Sequence, residues 1–251
     1  MNETKQALSW GTLTVNEYGN AIPFTGKLES LSEFDIVNIM REGLMDDFTK
    51  CVDGVIEREF NSTPLRYVGT ATNGGAVTTD GTATATNTSA LNKYHIRQMV
   101  NQLKTRNVPG WGGLGGDYVC ICSVEALEGL FADLESQLSY VTDGYQKVLN
   151  GEVGRYYGCR FVEDTYATRY TYSASARTAT AKSWTKGESL DAYLFGEPTV
   201  REAIVVPEEV RMKIPTDYGR SKGIAWYFLG GYALEWSDAA DARVIKWDSK
   251  A

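Results

Sequence analysis

A single histidine, four cysteines and one run of glycines are the residues of this 251-residue chain from which chemistry could be built. General acid–base, triad and metal chemistry lean on histidine. His95 lies one helical turn from Leu91 and from Met99, the spacing of an inward-facing helical position, and reads as a packed or interface histidine. The cysteines are Cys51, Cys120, Cys122 and Cys159. Cys120 and Cys122 are expected on opposite faces of a strand, which argues against chelation by that pair, and a zinc site needs several ligands at workable spacing. All four read as reduced, mostly buried thiols.

The glycines from Gly110 to Gly116 invite comparison with a phosphate-binding loop. That loop ends in Lys-Ser/Thr and follows a strand, whereas this run lacks the ending and follows a helix, so it reads as a connector anchored by Trp111 and Leu114. Gly-x-Ser-x-Gly is absent, and with it the hydrolase nucleophile elbow. The carboxylate pairs Asp46-Asp47 and Glu208-Glu209 are adjacent in sequence, and adjacent helical positions do not converge. No catalytic, cofactor-binding or metal-ligating residue is assigned, and no cofactor is expected.

The elements that would position these residues open with an alternating segment. Leu8 to Val15 has period two, Glu17-Tyr18-Gly19-Asn20 is expected to reverse it, and Ala21 to Thr25 to run back. Apolar groups fall on both faces of this hairpin, and an isolated hairpin is marginal in water, so it is expected to lean on a partner surface. Ser32-Glu33-Phe34-Asp35 then opens a helix with a capping-box-like start. Its stripe is Val37, Met40, Leu44, Phe48, Cys51, Val52 and Val55, with Ile36 and Ile56 beside it, and Pro64 ends it. From Glu33 to Phe60 this is a rod of ~40 Å.

Leu65 to Val68 reads as a short strand, and Gly69 to Thr88, nearly all Thr, Ala, Gly and Asn, as an exposed loop or ribbon. A helix from Ser89 to Arg106 turns Leu91, Ile96, Met99 and Leu103 inward. Tyr118 to Cys122 is a buried strand, and Ser123 caps a helix carrying Leu127, Leu130, Phe131 and Leu134. Beyond Gly151 strands and turns dominate: Cys159–Glu163, Tyr193–Phe195 and Ala203–Val206, with Tyr170–Ser189 a second Ser/Thr/Ala-rich excursion. Gly223–Trp236 and Arg243–Trp247 are expected to close a hairpin about Asp238 to Asp241. Hairpin, long helix, mixed middle and closing strands make an α+β chain.

Composition agrees with a globular protein: 43% hydrophobic, 23% charged and 12% aromatic, the aromatics suiting well-filled cores or contact surface. A net charge of −7 disfavours direct readout of nucleic acid. No run approaches the length of a membrane span, and residues 1–20 lack a signal peptide's apolar region.

Taken together, Glu17-Tyr18-Gly19, the helix from Ser32, Tyr118-Val119 leading into a helix, and Gly151-Glu152-Val153-Gly154 followed by Gly158 to Glu163 resemble tailed-bacteriophage major capsid proteins, nearest the group typified by the podovirus N-four coat protein. The resemblance implies the Hong Kong 97-type fold. It makes residues 6–29 an extended E-loop within a first segment 1–31, and residues 32–61 the spine helix of a P-domain segment 32–88. It makes 89–206 mostly A-domain, and 207–251 the return to the P-domain sheet. Trp10, Leu13, Val15, Tyr18, Ile22 and Phe24 would then be intersubunit contacts of the E-loop. No covalent cross-link is implied by any Lys/Asn/Glu set here.

The function this implies is a non-catalytic major capsid protein, located in the virion and assembled in the host bacterial cytoplasm. Its hexamers and pentamers would form an icosahedral shell around double-stranded DNA, bound without sequence specificity. Scaffold, portal and decoration proteins would be its partners, with no membrane. The alternatives are an encapsulin-like nanocompartment shell, separable by its contents, and a soluble cytosolic enzyme, separable by particle size.

Overall fold

A computed structural model describes residues 11–79, 89–123, 126–131, 154–163, 170–173, 178–181, 192–215 and 217–247. The chain divides into two compact units: residues 1–49 with 200–235, and residues 50–199 with 236–251. Leu8 to Trp10, the end of the Thr/Ala/Gly ribbon beyond Thr79, Leu134, Gly151–Val153 and most of the Tyr170–Ser189 excursion lie outside the described residues.

The first unit is built on a three-stranded antiparallel sheet. β1 (Asn16–Thr25) pairs along one side of β11 (Ser221–Leu234), and β10 (Val200–Met212) pairs along the other. This corrects the expected opening hairpin. Glu17 to Asn20 does not turn; it runs straight through β1, opposite Leu229, Phe228, Tyr227 and Trp226. Gly19 serves close approach instead, because a Cβ there would sit 2.9 Å from the Trp226 carbonyl oxygen.

β10 contains Pro207, which has no N–H to give to a ladder. The strand accordingly lies at the sheet edge, with register shifts between Ile204 and Val206 and between Val206 and Glu209. β1, the other edge strand, carries Pro23.

A short helix α1 (Gly26–Leu31) follows β1, capped by the Thr25 hydroxyl. Then comes α2 (Ile36–Asn61), which starts where the Asp35 carboxylate accepts from the Asn38 amide at 3.3 Å. The expected start at Ser32 is therefore three residues early, although the Ser32 hydroxyl does accept from the Phe34 amide. Phe48 meets Trp226 edge-on at 5.3 Å between centroids and Phe228 at 5.9 Å. Beside it Asp47 accepts from the Trp226 indole N–H and the Asn20 amide group, each at 2.9 Å.

The second unit holds a seven-stranded mixed sheet. β2 (Leu65–Ala71), β3 (Gly74–Thr78), β4 (Tyr118–Cys122), β5 (Arg155–Tyr156), β6 (Cys159–Glu163), β9 (Ala192–Phe195) and β12 (Val244–Trp247) run in the order β3-β2-β12-β9-β4-β6-β5. β7 (Tyr170–Ser173) and β8 (Thr178–Ala181) form a separate two-stranded ribbon. β12 is parallel to β2 and antiparallel to β9. The expected closing hairpin between β11 and β12 is thus corrected. Both sides of β11 are already paired, whereas every residue of β12 is buried, as an interior strand requires. The Asp238–Asp241 turn instead accepts from the Arg106 guanidinium through the Ala239 and Ala240 carbonyls.

The core of this unit lies under helix α3 (Lys93–Thr105), which is capped by Asn92 and buries His95, Ile96, Met99, Val100 and Leu103. Ser123 caps the following helical turn by accepting from the Ala126 amide, with Leu127 and Leu130 buried as their spacing predicts. Phe60, on the last turn of α2, packs against Phe195 at 4.9 Å and Tyr193 at 5.7 Å.

Candidate subunit-contact surface

The residues with chemical potential are packed into the second unit rather than gathered at a site. His95 has no exposed surface, and burial pulls its pKa down to about 4. Its Nδ1 lies 3.3 Å from the Tyr67 hydroxyl and its Nε2 3.3 Å from the Ser89 hydroxyl, with Trp247 against the ring. The Gly110 to Gly116 run is a closed turn. Trp111 bridges to Asp117, a Cβ on Gly110 would meet the Gly116 carbonyl oxygen at 2.1 Å, and Gly115 and Gly116 have φ of +73° and +83°.

Asp117, 2% exposed, accepts from Arg155 at 2.5 Å and Arg160 at 2.9 Å and so clasps this turn to β5 and β6. The Arg160 hydrogen bond, with Arg155 beside it, holds the carboxyl below its ordinary range. Among the described residues no group of three or more His, Cys, Asp or Glu side chains is placed to hold a metal ion, and no helix is long and apolar enough to cross a membrane.

What the molecule does offer is apolar surface, and its placement is uneven. Among the described residues the exposed large hydrophobic side chains belong to the first unit, except Tyr157 and Val162. At the far end of the β10–β11 hairpin stand Met212, Ile214 (83% exposed) and Tyr218. α1 docks beside that turn through the Gly26 amide on the Arg220 carbonyl and Lys222 on Glu29, and it adds exposed Leu28 and Leu31. Ile204 and Val205 stand out at the β10 bulge, where Ile204 lies opposite Gly230 and Val205 is the residue that the shifted register skips. Exposed apolar area of this kind does no bond chemistry; it marks association.

The six expected contact residues are distributed differently. Trp10 lies outside the described residues. Phe24 is only 5% exposed within its own chain, and Tyr18 stacks on Phe228 at 6.1 Å. Ile22 is half-buried opposite Ile224, and Leu13 leans over Gly231. Val15 alone of the described five is exposed. Tyr18, Ile22 and Phe24 share one face of β1, and that face turns towards Asp47 and Phe48 of the same unit. The stronger candidates were Met212, Ile214 and Tyr218. Their signal was the alternation of Val210, Met212 and Ile214 with Arg211 and Lys213, leading into the turn-forming Asp217-Tyr218-Gly219.

A family model described as phage capsid protein matches residues 12–244. The chain belongs to that family. This phage capsid protein is a structural, non-enzymatic subunit of a head shell, and its place is the virion capsid. Its fold is similar to that of the capsid of the cyanophage P-SCSP1u, with a TM-score of 0.66 at 10% identity over 98% of this chain and 78% of that one. The Mycobacterium phage Che8 structure matches with a TM-score of 0.61 at 13% identity over 93% and 70%. The acid-stable capsid of the Helicobacter pylori bacteriophage KHP30 matches with a TM-score of 0.61 at 12% identity over 94% and 75%. No curated relative matches the sequence.

Proposed function

We propose that this capsid protein self-assembles, through hexamers and pentamers, into an icosahedral phage head that encloses double-stranded DNA. The observation that carries the reading is the concentration of exposed large apolar side chains on the unit made of β1, α1, the start of α2 and the β10–β11 hairpin. Such surface is disfavoured in a monomer and is buried when copies meet. The fold is read as the Hong Kong 97 type, in the group of the podovirus N-four coat protein. α2 is taken as the spine helix, the β1-β11-β10 sheet as P-domain, and most of residues 89–206 as A-domain. The E-loop role falls to the segment ahead of β1, with Val15 and the open side of Leu13 as its contacts and the open side of Ile22 beside them on β1. Scaffold, portal and decoration proteins are the further partners such a shell would take.

The test is electron microscopy and sedimentation of the purified chain, alone and with candidate scaffold. Capsomers or closed shells are expected. A monomer that persists at high concentration under every condition tried would overturn the reading, and shells holding protein cargo in place of DNA would move it to a nanocompartment.

A further inference from the structure

β4 divides its side chains between the two faces of the seven-stranded sheet. Cys120 and Cys122, two residues apart, share the core face with their Sγ atoms 3.4 Å apart, which corrects the expectation that they diverge. Val119 and Ile121 therefore take the other face, where they are half-buried. On that face Phe195 and Tyr193 of β9 pair with them and are covered by Phe60. Beyond β4 the face opens. Arg160 lies beside Val119 and Val162 beside Ile121, and Val162 is 48% exposed. Arg155 stands directly opposite Arg160 in the β5–β6 hairpin.

Like charges in that position repel, and Asp117, the carboxylate that holds both, offsets one of the two. The arginine side chains remain 62% and 46% exposed. The hairpin is pinned at its turn as well, where the Tyr157 hydroxyl donates to Asn101 Oδ1 at 3.1 Å. A surface held in this way loses little freedom on binding. Arg155 to Val162 contains two arginines and no acidic residue, in a chain of net charge −7.

The opposite character stands at the start of α2. Ile39, Glu42, Met45 and Asp46 fall on one side of that helix, and all four are exposed. From Glu33 to Asp47 the chain carries five carboxylates against one arginine, Arg41.

We propose that the open sheet face of one copy receives this side of α2 from the next copy. Ile39 and Met45 meet Val119, Ile121 and Val162, while Glu42 and Asp46 meet the two guanidiniums. The proposal rests on the self-assembly proposed above and names one contact that makes it. The two surfaces differ, so the contact is heterologous, and each copy keeps one half of it for a further neighbour, as closure into a ring requires. The apolar side chains supply the drive, and the charges fix which surfaces meet.

The test places Ile39→Cys and Val162→Cys together in the full chain, both at exposed positions, the native cysteines being buried. Assembled and treated with a short bismaleimide, this variant should give a ladder of covalent species up to five or six chains on a denaturing gel. Each single variant should run as a monomer. Glu42→Arg with Asp46→Arg should lower the yield of capsomers by about tenfold or more without moving the melting temperature of the unassembled chain. Normal particles from the double-cysteine chain without a ladder overturn this contact and leave self-assembly standing. A wild type that never assembles overturns both.

Discussion

Phe24 and Ile214 are both large apolar side chains of the first unit, yet Phe24 is 5% exposed and Ile214 is 83% exposed. Their substitution by Asp should therefore separate folding from assembly. Phe24→Asp buries an unpaired charge and should unfold the first unit, seen as loss of cooperative melting in the unassembled chain. Ile214→Asp should change subunit stability by no more than about 0.5 kcal/mol while abolishing particles on micrographs. Intact particles from Ile214→Asp would show that the hairpin tip is not a contact.

His95 gives a residue-scale pH dependence. Its folded pKa of about 4 lies below the ordinary histidine value of 6.5, so the unfolded chain takes up a proton that the native core refuses. Its contribution is fully present above pH 6.5 and is lost as the pH falls towards 4, by about 1–3 kcal/mol. Thermal melts between pH 6.5 and 5, above the main carboxylate range, should fall less steeply for His95→Gln than for the wild type. Parallel slopes would mean that the ring is not desolvated in the native state.

At the scale of elements, α2 and the sheet depend on each other. The helix stripe is legible, and Leu44, Cys51 and Val55 are buried as their spacing predicts, but Phe48 is only half-buried, edge-on to both Trp226 and Phe228. Phe48→Ala should consequently cost about 2 kcal/mol, below the range for a fully enclosed ring. Calorimetry of the unassembled chain checks this, and an unchanged melting temperature would place the ring in solvent.

Across the whole molecule, an acidic subunit of net charge −7 has to assemble against its own repulsion. If apolar surface drives association, added salt screens the repulsion, and excluded anions such as sulfate strengthen burial. Sedimentation should then show more assembled protein as sodium sulfate is raised. A steady loss of assembly with salt would instead assign the contacts to charged pairs.

By itself the sequence determined the elements whose signals are local. Ser123 and the Leu91 to Leu103 spacing marked the helices of the second unit, although the first of them starts at Lys93 under an Asn92 cap rather than at Ser89, and Tyr118 to Cys122 was a strand on its residue types alone. That the chain is not an enzyme was legible too, because one histidine and no nucleophile motif leave little to build with, and the phage capsid family match agrees. Strand partnership was decided only in three dimensions. Glu17-Tyr18-Gly19 has turn chemistry yet runs straight, because β11 offers a full ladder opposite it and Gly19 admits the close carbonyl. β11 and β12 look like a hairpin in sequence, but β11 is claimed on both sides and β12 is buried in another sheet. Alternation tells a strand which residues share a face; only the packed structure says whether that face meets its own core or waits for another copy.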